Sequence, residues 1–361
     1  MKRYEITIAF AVLFLLVMIG FVKAQQANVS KSSDCKGAPR NVPMRTIPAP
    51  TDVSPELRRV IACPLTSLMD IAPNTSEQWH DLVSKKSARD LPLIKKLQNM
   101  FSVDIKTEVY NGIRTFTVMP EKILKENENR ILMHLHGGGY VFNPGETGLG
   151  EAILMAYYGK IKVISVDYRM APDFPFPAAL DDAVSIYKQI LKTYQARNIG
   201  IFGTSSGGSL ATATVLRVRE MGIALPGAVS LGTPWADLTH TGDSSFTNEY
   251  IDDVLVKYNG MLEACAKIYA GTNNMKNPLI SPLYGEFGKG FPPAILTSGT
   301  RDLLLSDTVR LHRKLRQAGV DAELQVFEGM SHAQYILVFN SPESEEAFLE
   351  IARFFRSHLS N

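Results

Sequence analysis

The pentapeptide GTSSG at residues 203–207 constrains the fold more than any other feature of the chain, because it separates a strand pattern from a helix pattern. Residues 198–202 form an apolar run of β character, and small residues leading into a helical pattern follow. A G-x-S-x-G sequence at such a junction is typical of a nucleophile elbow, a sharp turn that lifts a serine hydroxyl above a sheet. The glycines allow an unusual backbone conformation and a close approach of strand and helix. We therefore predict Ser205 as a nucleophile.

Strand-like runs alternate with helix-like runs over most of the chain. This alternation favours an α/β fold with a mostly parallel central sheet flanked by helices. The alternation pauses between 236 and 290 for a long insertion, which contains a predicted helix at 251–269. The predicted strands are 105–109, 113–118, 131–135, 161–166, 198–202, 227–231, 293–298 and 322–327.

A serine nucleophile needs a general base and an acid that orients it, and in folds with this elbow they follow the serine in the order acid, then histidine. His332 lies in the loop after the strand at 322–327, and Asp302 lies in the loop after the strand at 293–298. Asp307 is the second choice for the acid, but its place at the start of a predicted helix gives it a structural explanation. We predict the catalytic residues Ser205, Asp302 and His332. The remaining histidines after the serine fit less well: His240, His312 and His358.

A glycine-rich loop, HGGG at residues 136–139, follows the strand at 131–135. Loops of this kind aim backbone N–H groups at a carbonyl oxygen. His134 and His136 alternate along the strand in a way that suggests metal ligands, but the sequence offers no third ligand. We therefore predict neither a metal nor a cofactor, and we expect His136 to brace the loop by a local hydrogen bond.

Together with the elbow and the HGGG loop, the segment DYRMAPDFPFPAALDDA at 167–183 makes the chain resemble the hormone-sensitive lipase family of α/β-hydrolases over about residues 105–360. The resemblance implies the α/β-hydrolase fold with a helical cap. It also implies an oxyanion hole formed by the N–H groups of Gly138, Gly139 and Ser206. We expect a signal peptide at 1–24, an N-terminal extension with cap helices at 25–104 and a catalytic domain at 105–361 with a cap insertion at about 236–290. Helix-like pieces lie at 55–68 and 87–100.

The same resemblance implies a serine carboxylesterase that acts through an acyl-enzyme, and we expect it to prefer short-chain esters because the sequence shows no apolar lid of the lipase kind. A lactone hydrolase with the same triad is the alternative, and a non-catalytic binding protein of this fold is disfavoured by the presence of His332. Tyr140 and Trp235 are candidates for lining the substrate pocket, with core packing as an equal alternative. The chain departs from many relatives at Thr204 and Ser206, and at Ala333 and Gln334 after the histidine. A threonine directly before the nucleophile, as at position 204, marks one subgroup of the family.

The chain begins with a basic dipeptide and an apolar run from Ile6 to Phe21, followed by small residues that suit cleavage before Gln25. The run is shorter than the about 20 residues that a membrane span needs, so we expect export, with an uncleaved anchor as the alternative. Removal of the leader reduces the 38 basic and 36 acidic residues to 35 of each. A neutral chain does not indicate a nucleic-acid partner. The predicted partner is a small ester or lactone, without stable membrane insertion after cleavage; no oligomeric state is predicted.

The chain has three cysteines. Export implies an oxidising compartment, where Cys35 and Cys63 could pair. Cys265 lies in a helix-like stretch and is predicted to be a buried free thiol.

Overall fold

The computed structural model describes residues 39–65, 67–288 and 290–360. The chain divides into a unit ending at Ile47 and a unit beginning at Pro48. Residues 39–47 of the first unit contain no helix or strand, and their side chains are exposed. The predicted leader at 1–24 lies outside the described residues. Within the described ranges, no helix combines the length and the hydrophobicity that a bilayer span requires.

An eight-stranded sheet organises the second unit, with strand order β1-β2-β4-β3-β5-β6-β7-β8. The second strand is antiparallel to both of its neighbours, and all the later neighbouring pairs are parallel. The predicted mostly parallel sheet is therefore confirmed. The strands are β1 Val103–Tyr110, β2 Ile113–Pro120, β3 Ile131–Leu135, β4 Val163–Asp167, β5 Ile199–Thr204, β6 Ala228–Gly232, β7 Ala294–Gly299 and β8 Ala322–Phe327.

Helices connect the strands and cover both faces of the sheet. Strands β3 and β5 are buried along their whole length, as expected of central parallel strands. Alternate residues of β3 enter opposite halves of the core: Met133 packs with one cluster and Leu132 with the other. The α-helices are α1 Pro55–Ile61, α2 Ser76–Met100, α3 Gly150–Gly159, α4 Ala178–Ile190, α5 Ser206–Glu220, α6 Ser244–Thr247, α7 Met261–Ala270, α8 Leu305–Gln317, α9 Gln334–Leu337 and α10 Pro342–His358.

The insertion between β6 and β7 is less helical than its sequence suggests. The prediction of a helix at 251–269 is wrong for its first half, because α7 begins only at Met261. Three features explain this. The Asp252 side chain accepts hydrogen bonds from two N–H groups of its own segment, Val256 has a φ of 59°, and Gly260 has a φ of 110°. These conformations are incompatible with a continuous helix.

The two N-terminal helix predictions also need correction. The first, at 55–68, ends early at Ile61, before a short 3-10 helix at Ser67–Asp70. The second, at 87–100, belongs to the much longer helix α2. Its start is marked by a capping box, in which Thr75 and Gln78 satisfy each other's backbone N–H groups.

Two regions that the resemblance assigns to a cap meet in the structure. Lys257 of the insertion forms an ion pair with Asp70, which precedes α2. The backbone of Gly260 also lies so close to Met69 that a Cβ at this position would overlap the Met69 carbonyl oxygen. The insertion and the segment before β1 are therefore in direct contact.

Cys265 in α7 is a buried free thiol, as predicted, and burial raises its pKa above the ordinary value. Cys63 is exposed. Cys35 lies outside the described residues, so its pairing with Cys63 stays a prediction.

Candidate active site

Ser205 occupies a sharp turn between the end of β5 and the start of α5. Its backbone angles are φ 60° and ψ −126°, a region that side chains rarely adopt. Two backbone hydrogen bonds hold this strained residue: its N–H donates to the Gly232 carbonyl at 2.8 Å, and its carbonyl accepts from the Trp235 N–H at 3.1 Å. The segment after β6 thus fixes the elbow that the sequence predicts.

The glycines on each side of Ser205 are required by close packing. A Cβ on either Gly203 or Gly207 would overlap the Leu135 carbonyl oxygen at the end of β3. The G-x-S-x-G pattern therefore brings the elbow against the strand that leads into the glycine-rich loop.

Asp302 and His332 form a buried hydrogen-bonded pair. Asp302 Oδ1 lies 3.1 Å from His332 Nδ1, and the two residues are 0% and 4% exposed. The Ser298 hydroxyl donates to the other carboxylate oxygen, Asp302 Oδ2, at 2.6 Å, and this hydrogen bond helps to fix the orientation of the carboxylate. Because Nδ1 faces a carboxylate, the proton belongs on Nδ1 and the other ring nitrogen is left to act as a base.

Ser205, Asp302 and His332 follow β5, β7 and β8, respectively. The chain from β5 through β8 forms parallel neighbours, so the carboxyl ends of these strands lie at one edge of the sheet. The Ser205 hydroxyl forms no hydrogen bond with any residue that the structure describes. Catalytic hydrogen bonds are often long in enzymes without substrate and tighten in the complex.

The alternative acid, Asp307, serves another purpose. It lies in the first turn of α8 and accepts a hydrogen bond from the Asp237 N–H at 2.8 Å. Arg310 in the same helix pairs with the Asp237 carboxylate at 3.0 Å. Asp307 therefore anchors the start of the insertion, whereas Asp302 contacts His332.

The glycine-rich loop leaves the expected donors available. Gly138 and Gly139 have φ angles of 127° and 62°. Further along, the Tyr140 N–H donates to Ser206 Oγ at 3.3 Å. The N–H groups of Gly138, Gly139 and Ser206 donate to no acceptor in the described part of the chain. Unpaired N–H groups next to a nucleophile can bind an oxyanion.

His136 supports this loop as expected. Its Nδ1 lies 2.9 Å from the Gly137 carbonyl, and its ring stacks on Tyr168 with centroids 4.2 Å apart. The Tyr168 hydroxyl donates to the His136 carbonyl at 2.7 Å. Burial lowers the pKa of His136 to about 4, so it is neutral and Nδ1 can donate to the carbonyl.

Tyr140 and Trp235 are packed inside the protein. They are 1% and 0% exposed, and Tyr140 stacks on Tyr269 with ring centroids 3.5 Å apart. The structure therefore favours core packing over an open pocket wall for both side chains.

Two acids of the insertion hold the histidine loop, and the sequence analysis missed both. Asp252 Oδ2 accepts hydrogen bonds from the N–H groups of Leu303 at 2.7 Å and His332 at 3.3 Å. Leu303 lies in the loop of Asp302, so Asp252 contacts the loops of both the acid and the base. Asp253 accepts from the Gln334 side-chain amide at 2.8 Å. Burial, and next the charge of Asp302, raise the pKa of Asp252 to about 6. Gln334, one of the positions at which the chain departs from many relatives, thus connects the histidine loop to the insertion.

Comparison with known proteins agrees with this geometry. A family model described as the alpha/beta hydrolase fold matches residues 132–336. The crystal structure of esterase E25 is 40% identical, covers 89% of this chain and 99% of its own, and superposes with a TM-score of 0.86. An esterase from the bacterial hormone-sensitive lipase family is 29% identical over 85% of this chain and 99% of its own, with a TM-score of 0.71. The chain belongs to the hormone-sensitive lipase family of α/β-hydrolases.

Relatives found by sequence comparison are also named as esterases or acetyl-hydrolases. An esterase of Acinetobacter venetianus is 29% identical over 73% of this chain and 86% of its own length. An acetyl-hydrolase of Streptomyces hygroscopicus is 28% identical over 64% of this chain and 76% of its own length. The predicted α/β-hydrolase fold and family are confirmed, and the protein is a serine carboxylesterase, that is, a carboxylic ester hydrolase.

Proposed function

We propose that this hydrolase cleaves short-chain carboxylic esters in two steps through an acyl-enzyme on Ser205. The observation that carries the proposal is the buried Asp302–His332 pair at the edge of the sheet where the strained Ser205 turn projects. His332 takes the Ser205 proton as the hydroxyl oxygen attacks the ester carbonyl carbon. The same ring then donates that proton to the departing alcohol.

In the second step, water replaces the alcohol. His332 removes a proton from water, the resulting hydroxide attacks the acyl carbonyl, and the carboxylic acid leaves as Ser205 regains its proton. In both steps the tetrahedral oxyanion is bound by the N–H groups of Gly138, Gly139 and Ser206, whose lack of other acceptors in the described chain supports this role. Asp302 orients the ring and stabilises its cation.

The preference for short acyl chains is tested by comparing nitrophenyl esters from acetyl to palmitoyl. We expect the highest kcat/KM for acetyl or butyryl esters, because the sequence shows no apolar lid for a long chain and one relative is named an acetyl-hydrolase. Faster cleavage of the palmitoyl than the butyryl ester contradicts short-chain specificity. An ε-lactone in the same series distinguishes the lactone alternative, which requires the lactone to be the better substrate.

We also propose that the protein is exported. The basic start, the apolar run and the small residues before Gln25 support a cleaved leader. N-terminal sequencing of protein recovered outside the cytoplasm should begin at Gln25; an intact Met1 would instead support the anchored alternative.

A further inference from the structure

A chain of buried polar side chains lies beneath the nucleophile elbow, outside the catalytic residues. Its members are all at most 7% exposed and come from five separate elements. We name them the elbow network: His134 of β3, Glu151 of α3, Ser165 of β4, Thr204 of β5 and Tyr335 of α9.

Glu151 is the acceptor at the centre of the elbow network. The Thr204 hydroxyl donates to Glu151 Oε1 at 2.7 Å, and His134 Nε2 lies 3.1 Å from Oε2. On the far side of the imidazole, the Ser165 hydroxyl lies 2.8 Å from Nδ1. Both carboxyl oxygens of Glu151 thus have a hydrogen-bond partner within the network, as buried polar groups require.

A further hydrogen bond of the network joins Thr204 Oγ1 and the Tyr335 hydroxyl, and its direction follows from the number of protons. Thr204 has a single hydroxyl proton and gives it to Glu151, so the Tyr335 hydroxyl must donate to Thr204 Oγ1. Burial, and next the negative charge of Glu151, raise the pKa of Tyr335 well above the ordinary value, so this hydroxyl keeps its proton. The Tyr335 and Thr204 hydroxyls therefore donate in sequence toward Glu151.

This network joins the two catalytic loops. Thr204 directly precedes Ser205, and Tyr335 lies in the short helix directly after His332. The backbone of β6 closes over their contact, because a Cβ on Gly232 would overlap both hydroxyl oxygens. The carbonyl of the same Gly232 accepts from the Ser205 N–H at 2.8 Å.

We propose that Glu151, Thr204 and Tyr335 are positioning residues, which fix the distance between the Ser205 hydroxyl and the His332 ring. The proposal rests on the proposed function.

The test uses variants that remove one hydroxyl with little change of shape. We expect Thr204→Val and Tyr335→Phe to lower kcat on a butyryl ester by about 10- to 100-fold, because small misplacement of reacting groups has effects of this size. KM should change far less, since the network residues are buried, at most 7% exposed, and act on the positions of the catalytic groups. Thr204→Ser keeps the hydroxyl and should restore kcat to within about threefold of the parent.

The matched control for Tyr335→Phe is Tyr187→Phe. The Tyr187 hydroxyl is also a buried donor, to the Ala224 carbonyl at 2.7 Å, and lies on α4 away from the catalytic loops. The Tyr187→Phe variant should lose thermal stability, as we expect of Tyr335→Phe, but its kcat should be unchanged.

Three outcomes overturn the proposal: kcat of Thr204→Val equal to that of Thr204→Ser, kcat of Tyr335→Phe equal to that of Tyr187→Phe, or a loss confined to KM. If Tyr335→Phe does not fold, the Thr204 pair decides. Active network variants beside an inactive Ser205→Ala sink this inference alone, whereas an active Ser205→Ala sinks the proposed function itself.

Discussion

Ser205→Ala should lower kcat on a butyryl nitrophenyl ester by about 10⁴- to 10⁶-fold, the loss typical of removing a serine nucleophile that acts with a histidine. Stability should not fall, because the Ser205 hydroxyl has no hydrogen-bond partner among the described residues and its removal leaves no buried group unpaired. The measurement is a full kinetic comparison together with the thermal unfolding midpoint.

Ser357→Ala provides the matched control for this experiment. Ser357 lies near the end of α10, where its hydroxyl donates to the Phe354 carbonyl at 2.9 Å. Its replacement should leave kcat unchanged. Ser205→Ala with more than about a hundredth of the parental kcat would contradict nucleophilic catalysis by this residue.

Asp302→Asn should lower kcat by about 10⁴-fold, the effect expected when the orienting carboxylate of a triad becomes an amide. Both Asp302 oxygens are acceptors: Oδ2 accepts from Ser298, and Oδ1 accepts from the Leu304 N–H at 2.9 Å and faces His332 Nδ1. An amide keeps only one acceptor oxygen and carries no charge, so one of these contacts is lost and the His332 cation loses its anionic partner.

Asp307→Asn is the corresponding control, since Asp307 was the alternative acid in the sequence. The side chain of Asp307 accepts a hydrogen bond from the Asp237 N–H, which an amide oxygen can also accept, so asparagine is a fair substitute. We expect Asp307→Asn to keep kcat within about threefold of the parent. The opposite ranking of the two variants would transfer the role of the acid to Asp307.

The sequence predicts the sheet well because its strands are short and separated by clear breaks, and its central strands are mostly apolar. All eight predicted strands occur, with boundaries that shift by a few residues at most. The elbow and the HGGG loop were predictable for a related reason: each depends on glycines required by contacts with a neighbouring backbone, as Gly207 is by Leu135. A requirement for glycine is visible in the sequence itself, as a short motif.

The insertion and the elbow network were not predictable in the same way. The residues at 251–260 have a helix-like composition, yet Asp252 uses its side chain to cap its own segment and to hold the loops of Asp302 and His332. Likewise, no pattern joins Glu151 to Thr204 before the fold brings α3 beneath the elbow. The capping box of Thr75 and Gln78 was a readable signal for the start of α2.

The central claim is that Ser205 is the nucleophile and that His332 activates it. Peptide mapping after treatment with a fluorophosphonate probe tests both parts, because the probe reacts covalently with an activated serine. We predict a single adduct on Ser205 and labelling of His332→Ala that is slower by about 10³-fold or more. An adduct on another serine, or labelling of His332→Ala at the parental rate, would contradict the account.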